Sequence, residues 1–178
     1  MAQCVNYSSE EEQLAGETDL AGRIQRAGTL LNMLKEWKNS LSAQFEPLPV
    51  ESSTDETFKP LWIHPSPIAV SMQMYCMAKI LLLVNQPAAG GYLEYLSRDK
   101  LITQCIDTIG GIALRLTDNA SRLMSTQCLH AAGLYCKDPA RRSYIVTLIE
   151  DHTRHTAWPP NNTDLEEELR VEWEKQQS

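Results

Sequence analysis

Two groups in this 178-residue chain have the residue types and spacing of a reactive centre. His152 and His155 stand three apart, with Glu150 and Asp151 beside them. On a helix that spacing turns two imidazoles to one face, as a bound metal requires. The same residues also suit a helix end, where histidines complement the negative pole of the dipole. Cys128-Leu129-His130 offers a thiol near a base. Helical positions i and i+2 point in different directions, so the pair does not meet, and Cys128 reads as a buried structural thiol. The chain shows no Cys-x-x-Cys pair and no glycine-rich phosphate loop. We therefore assign no catalytic residue, no metal ligand, no cofactor and no enzymatic activity.

A second tier of residues suits contacts. His64 lies between Ile63 and Pro65, where the chain is extended, with Trp62 two residues before it. The two rings supply an apolar wall and a polar contact for a ligand; equally, His64 faces water or caps a neighbouring helix. Lys79 is the one charge between Met72 and Val84. Its stem is expected to pack along a helix while the amine reaches solvent. Tyr75 stands one helical turn before it. Arg141-Arg142 falls in the first turn of a helix, the wrong end for the dipole, which implies either an acidic partner or a solvated surface pair. Met72, Met74 and Met77 suit core filling better than an adaptable groove. Glu166 to Glu174 mixes acids with Leu165, Leu169 and Trp173 at spacing four, the pattern of a docked amphipathic helix.

The elements that would hold these residues are all helical. Residues 1–18 read as a mobile acidic segment. Leu20, Ile24, Ala27, Leu31, Leu34, Trp37, Leu41 and Phe45 step by three or four, predicting a helix over 20–45 with Asp19 or Thr18 as its cap. Residues 46–60, with Pro47, Pro49 and Pro60, read as an acidic loop. Ser66 caps and Pro67 opens an apolar helix to about Val84, and Pro87 stops it. Because that helix is apolar nearly all round, it belongs at the centre of a bundle. Gly90-Gly91 breaks the chain before a helix over about 97–116. Gly110-Gly111 within it costs roughly 1 kcal/mol per glycine, so a neighbour approaches there or the helix bends. Asp118 or Asn119 caps a helix over 120–136, Asp138-Pro139 starts another, and Thr163-Asp164-Leu165-Glu166 is a capping box for the last. Six helices and no strand follow: one all-α domain over 19–178.

Composition narrows the class. The net charge is −7. Residues 1–19, 46–60 and 161–178 carry −5, −3 and −4, which leaves +5 spread over the rest. No basic run is present to displace counterions from a phosphate backbone, so this chain is not expected to grip nucleic acid directly. Five cysteines at Cys4, Cys76, Cys105, Cys128 and Cys136, and no apolar run after Met1, suit a reducing interior with free thiols and bare sequons at Asn6, Asn119 and Asn161. The longest strongly apolar run, Ile80 to Val84, is too short to span a bilayer.

Leu61-Trp62-Ile63-His64-Pro65-Ser66-Pro67-Ile68 through Met74-Tyr75, continuing Ala78 to Pro87, resembles the regulatory region of fungal zinc-binuclear-cluster transcription factors. Ile109-Gly110-Gly111-Ile112-Ala113, Gln127 to Gly133, and Arg141-Arg142 through Trp158 to Leu169 and Trp173 resemble later parts of the same region. The similarity covers roughly 60–178. The family's DNA reader needs six closely spaced cysteines on two zinc ions. Successive cysteines here are 72, 29, 23 and 8 residues apart, so that reader is missing from this chain. The resemblance implies a nuclear regulatory module that acts through contacts with other proteins of the transcription machinery or with itself, with room for a small effector. Its candidate contact residues are Trp62, His64, Tyr75, Lys79, Arg141, Arg142, Trp158 and Trp173. The rival class is a small helical ligand-binding protein or enzyme that uses the central helix as a pocket wall. A homodimer scaffold is a third.

Overall fold

An apolar helix needs walls, and Ser66–Asn85, here α3, has four of them, with Val84 left exposed. In the computed structural model, residues 1–13, 20–51, 57–87, 90–156 and 163–175 are described, apart from the side chains of 10–13, 155, 163 and 164. Around α3 pack α1 (Ala2–Gln13), α2 (Leu20–Ser40), α4 (Gly91–Ala113) and α5 (Asn119–Tyr135). Beyond them α6 (Pro139–Thr156) lies on α5, and α7 (Thr163–Lys175) closes the far side of α5. Ile80 and Leu82 of α3 are wholly buried. Each such side chain contributes about 2 kcal/mol over its exposed state, more than the ~1 kcal/mol net of an ordinary hydrogen bond, so packing dominates.

The fold is all-α, with seven α-helices among the described residues rather than six. The added one is α1, in the segment expected to be mobile. That segment is polar, but Cys4 and Tyr7 stand one turn apart and are both buried against α2 and α3. The Tyr7 hydroxyl donates to the Arg23 carbonyl at 3.4 Å. Two buried side chains are too few to show as periodicity. α2 stops at Ser40 instead of 45, and Ala43–Phe45 forms a short 3-10 turn. Ile24, Ala27, Leu31 and Leu34 face inward as expected, whereas Leu20 is exposed. The caps proposed for α2, Asp19 and Thr18, lie outside the described residues, as do the side chains of Thr163 and Asp164 in the proposed capping box. α3 is capped by Pro65 rather than Ser66, one residue earlier. α4 begins at Gly91, where φ is +68°, a conformation open to glycine at no steric cost. Asp118 caps α5 as expected, its carboxylate accepting from the Ser121 amide at 2.8 Å.

Two more expectations need correcting. A two-residue antiparallel ladder is present, β1 (Leu48–Pro49) on β2 (Leu61–Trp62), and it lays 57–62 against α4. By length and composition α3 is also apolar enough to cross a bilayer, with a mean hydropathy of 1.6 over its best window. A count of unbroken apolar residues missed this because Gln73, Tyr75 and Lys79 interrupt the run. Half of that window is buried inside the bundle.

The crossing of 57–62 over α4 explains Gly110-Gly111. A Cβ on Gly110 would sit 2.6 Å from the Phe58 ring, and one on Gly111 would sit 2.4 Å from the Lys59 carbonyl oxygen. The helix does not break; the chain approaches it. At Gly28 in α2 a Cβ would meet nothing within 4 Å. Gly28→Ala should therefore stabilise by about 1 kcal/mol, while Gly111→Ala should destabilise by about 2 kcal/mol or more because backbone must move. Urea unfolding of the two variants checks this; equal effects would remove the close approach as the reason for the glycines.

Candidate functional site

Among the described residues the core is thinly supplied with polar side chains, and Gln73 and His152 are each tied to a neighbouring helix through one of their two polar atoms. Gln73 is wholly buried at the middle of α3. Its amide Nε2 donates to the Ile109 carbonyl and to Ser125 Oγ, both at 2.9 Å, so one side chain joins α3, α4 and α5. Its Oε1 has no partner. His152 in α6 is also buried, with Nε2 at 3.2 Å from the Ala113 carbonyl. A carbonyl only accepts, so Nε2 carries the proton and donates. Burial lowers the His152 pKa, against that hydrogen bond. Nδ1 has no partner. The side chain of His155, its proposed metal partner, lies outside the described residues. Among the described residues no group of three or more His, Cys, Asp or Glu side chains could hold a metal.

The thiols behave as core groups. Cys76, Cys105 and Cys128 come together from α3, α4 and α5. Cys76 is pushed well up, first by its hydrogen bond to Cys105 and then by burial. Burial pushes Cys128 up to about 12. His130 does not face Cys128. It points at Glu168 of α7, 3.3 Å away, close enough for an ion pair but without hydrogen-bond alignment. Burial lowers the His130 pKa, and Glu168 opposes that shift.

The remaining contact candidates fall in three places. Tyr75 stacks on Trp37 of α2 with ring centres 5.6 Å apart, and Lys79 Nζ lies 6.0 Å above the Tyr75 ring. Lys79 is half-buried, its amine over an aromatic face rather than in the core. Arg142 donates from Nε to the Cys136 carbonyl at 2.6 Å, with its guanidinium 5.1 Å over the Trp173 ring. Trp173 Nε1 donates to the Gly133 carbonyl at 2.9 Å, and Leu169 fills the space that a Gly133 side chain would need. These two residues therefore dock α7. Arg141 has acidic partners, Asp107 and Asp138, and Asp107 is raised by burial despite the nearby guanidinium. Arg141 Nε lies 3.0 Å from Asp107 Oδ1 but is poorly aligned with it, and Nη2 donates to Asp107 Oδ2 at 3.5 Å. Trp158 lies outside the described residues.

Trp62 and His64 form the third place. Their rings are parallel within 8°, with centres 5.9 Å apart. They stand on one wall of a half-open cleft of about 290 Å³ at the start of α3. Arg115 and Thr117 from the end of α4, and Arg122 from α5, complete it. Sequence reasoning found the aromatic pair and missed the arginines. An arginine just past a helix end carries no signal until the fold brings it to another element.

Compared with known proteins, the chain matches no family model, no curated protein and no solved structure.

The buried histidines set an acid response. With the His152 and His130 pKa values lowered in the fold, the unfolded chain binds protons first as pH falls. Stability is full above the ordinary histidine value near ~6.5 and falls as pH drops through and below it. Wild-type protein should lose more stability between pH 7.5 and 5.5 than His152→Gln, whose amide can still donate to Ala113. Urea midpoints at both pH values measure this. A variant as acid-sensitive as wild type would show that His152 does not contribute.

Proposed function

We propose that this chain is a regulatory, partner-contacting module of a fungal transcription factor, without its own DNA-reading element. The observation that carries the reading is where the resembling segments lie. Leu61 to Pro87 supplies the enclosed α3 and the strand before it. Gly110-Gly111 receives Phe58 and Lys59 directly ahead of that strand. Gly133, Arg142, Leu169 and Trp173 meet one another across the α5–α6–α7 corner. Segments spread over more than a hundred residues thus serve one packing scheme, which is what a shared fold asks of a resemblance made of packing residues.

The chemistry supports the same reading. The buried polar groups join helices, and Cys76 and Cys128, with their raised pKa values, are poor nucleophiles. The dispersed positive charge of 61–160 and the acidic flanks disfavour the phosphate backbone. Work is left to the outer surface, in contacts with other proteins of the transcription machinery or with a second copy.

Fusing the chain to a sequence-specific DNA-binding domain tests the proposal. Reporter transcription should change several-fold over the DNA-binding domain alone, in either direction. Purified chain should show no saturable binding to duplex DNA at physiological salt. A reporter that does not respond to the fusion, or tight duplex binding by the chain itself, would overturn the reading.

A further inference from the structure

The cleft at the start of α3 has the features of a small-ligand site. Its volume, about 290 Å³, is at the lower end of ligand cavities, room for one ring system rather than a nucleotide chain. Trp62 is nearly half exposed, at 45%, although it lies in β2 and stacks on His64. An exposed indole held parallel to a second ring is a ready platform for a flat ligand.

Charge completes the case. Arg122 is fixed from below by its Nε bond to the Leu116 carbonyl at 2.9 Å. Arg115 lines the same cleft, is exposed, and has no carboxylate or carbonyl partner among the described residues. No acidic side chain lines the cavity. Asp118, the cap of α5 next to Thr117, is engaged with the Ser121 amide and the Ser66 hydroxyl, and these bonds keep it ionised by lowering its pKa. Free carbonyls at the α4 end would repel an anion, and several there are taken. Leu116 N and His152 reach Ala113 O, Arg115 N reaches Ile112 O, and Arg122 reaches Leu116 O. Meanwhile α3 and α5 both begin at this cleft, and helix beginnings favour negative charge.

We infer that the cleft bounded by Trp62, His64, Ser66, Arg115, Thr117 and Arg122 binds a small planar carboxylate, its ring on the Trp62–His64 pair and its charge on the Arg115 fork. A guanidinium fork matches a carboxylate by two parallel hydrogen bonds. This deepens the contact-module reading by giving the module an effector, and it rests on that reading only for the word effector; the binding itself does not.

Calorimetry on the purified full chain, with 2-naphthoate, 2-naphthamide and inorganic phosphate as probes, decides it. Naphthoate should bind saturably at one site, and the amide and phosphate at least tenfold more weakly. Arg115→Gln should weaken naphthoate about tenfold, the loss of one charge-assisted contact. Trp62→Leu should weaken it by a similar factor. Both side chains are exposed, and unchanged melting temperatures would show that the variants fold. No saturable binding, equal binding of the amide or of phosphate, or naphthoate affinity unchanged in Arg115→Gln would each overturn the inference. None of these results bears on the reporter fusion, so the failure of one proposal is distinguishable from the failure of the other.

Discussion

Enclosure of α3 is the constraint on which the rest of the structure depends, and Gln73 fixes how the enclosure is made. Apolar surface alone does not choose a rotation for a helix that is apolar nearly all round. The Gln73 amide does, because its two donors must reach the Ile109 carbonyl and Ser125 Oγ at once. Leaving those donors unpaired in the core would cost about 1–3 kcal/mol each, so other rotations of α3 are disfavoured. The amide already carries one unmatched oxygen. Its role is better described as specifying one arrangement than as adding net stability.

The second tier of the fold follows from close approaches. Gly110 and Gly111 admit the 57–62 segment onto α4, and that approach places β2. β2 in turn delivers Trp62 and His64 to the start of α3. On the opposite side Gly133 admits Leu169, and the Trp173 bond to its carbonyl fixes α7. The same residue type is thus used twice where a side chain would hold two elements apart, while Gly28 has open space around it. Spacing in the sequence flagged the first pair; only the three-dimensional neighbours separate a glycine that admits a partner from one that does not.

Much of the architecture was legible because long helices repeat one pattern many times. Ile24, Ala27, Leu31 and Leu34 announce α2, and Asp118 announces α5 through a single capping bond. α1 was not legible, since two inward residues in a polar stretch make no period. The start of α4 was placed six residues late because Tyr92, Leu93, Tyr95 and Leu96 are exposed apolar residues and gave no inward stripe. The site was legible in half. Trp62 and His64 stand two apart in an extended segment, a spacing that reads directly from the sequence. Arg115 and Arg122 lie some fifty residues further on, and nothing local ties them to the aromatic pair.

The arginines make a useful contrast. Arg23 reaches the Asn85 carbonyl, Arg98 reaches Gln86 and Pro87, Arg122 reaches Leu116, and Arg142 reaches Cys136. Each ties a chain segment to a helix end, a structural use that a guanidinium performs well through its spread of donors. Arg115 stands beside Arg122 in the same cleft without such a use. Two guanidinium charges line the cleft, and no acid on its lining offsets them. A negatively charged ring resting on Trp62 would supply that offset. A guanidinium without a structural use thus points to an anionic ligand, and the flatness of the aromatic wall points to the ligand's shape.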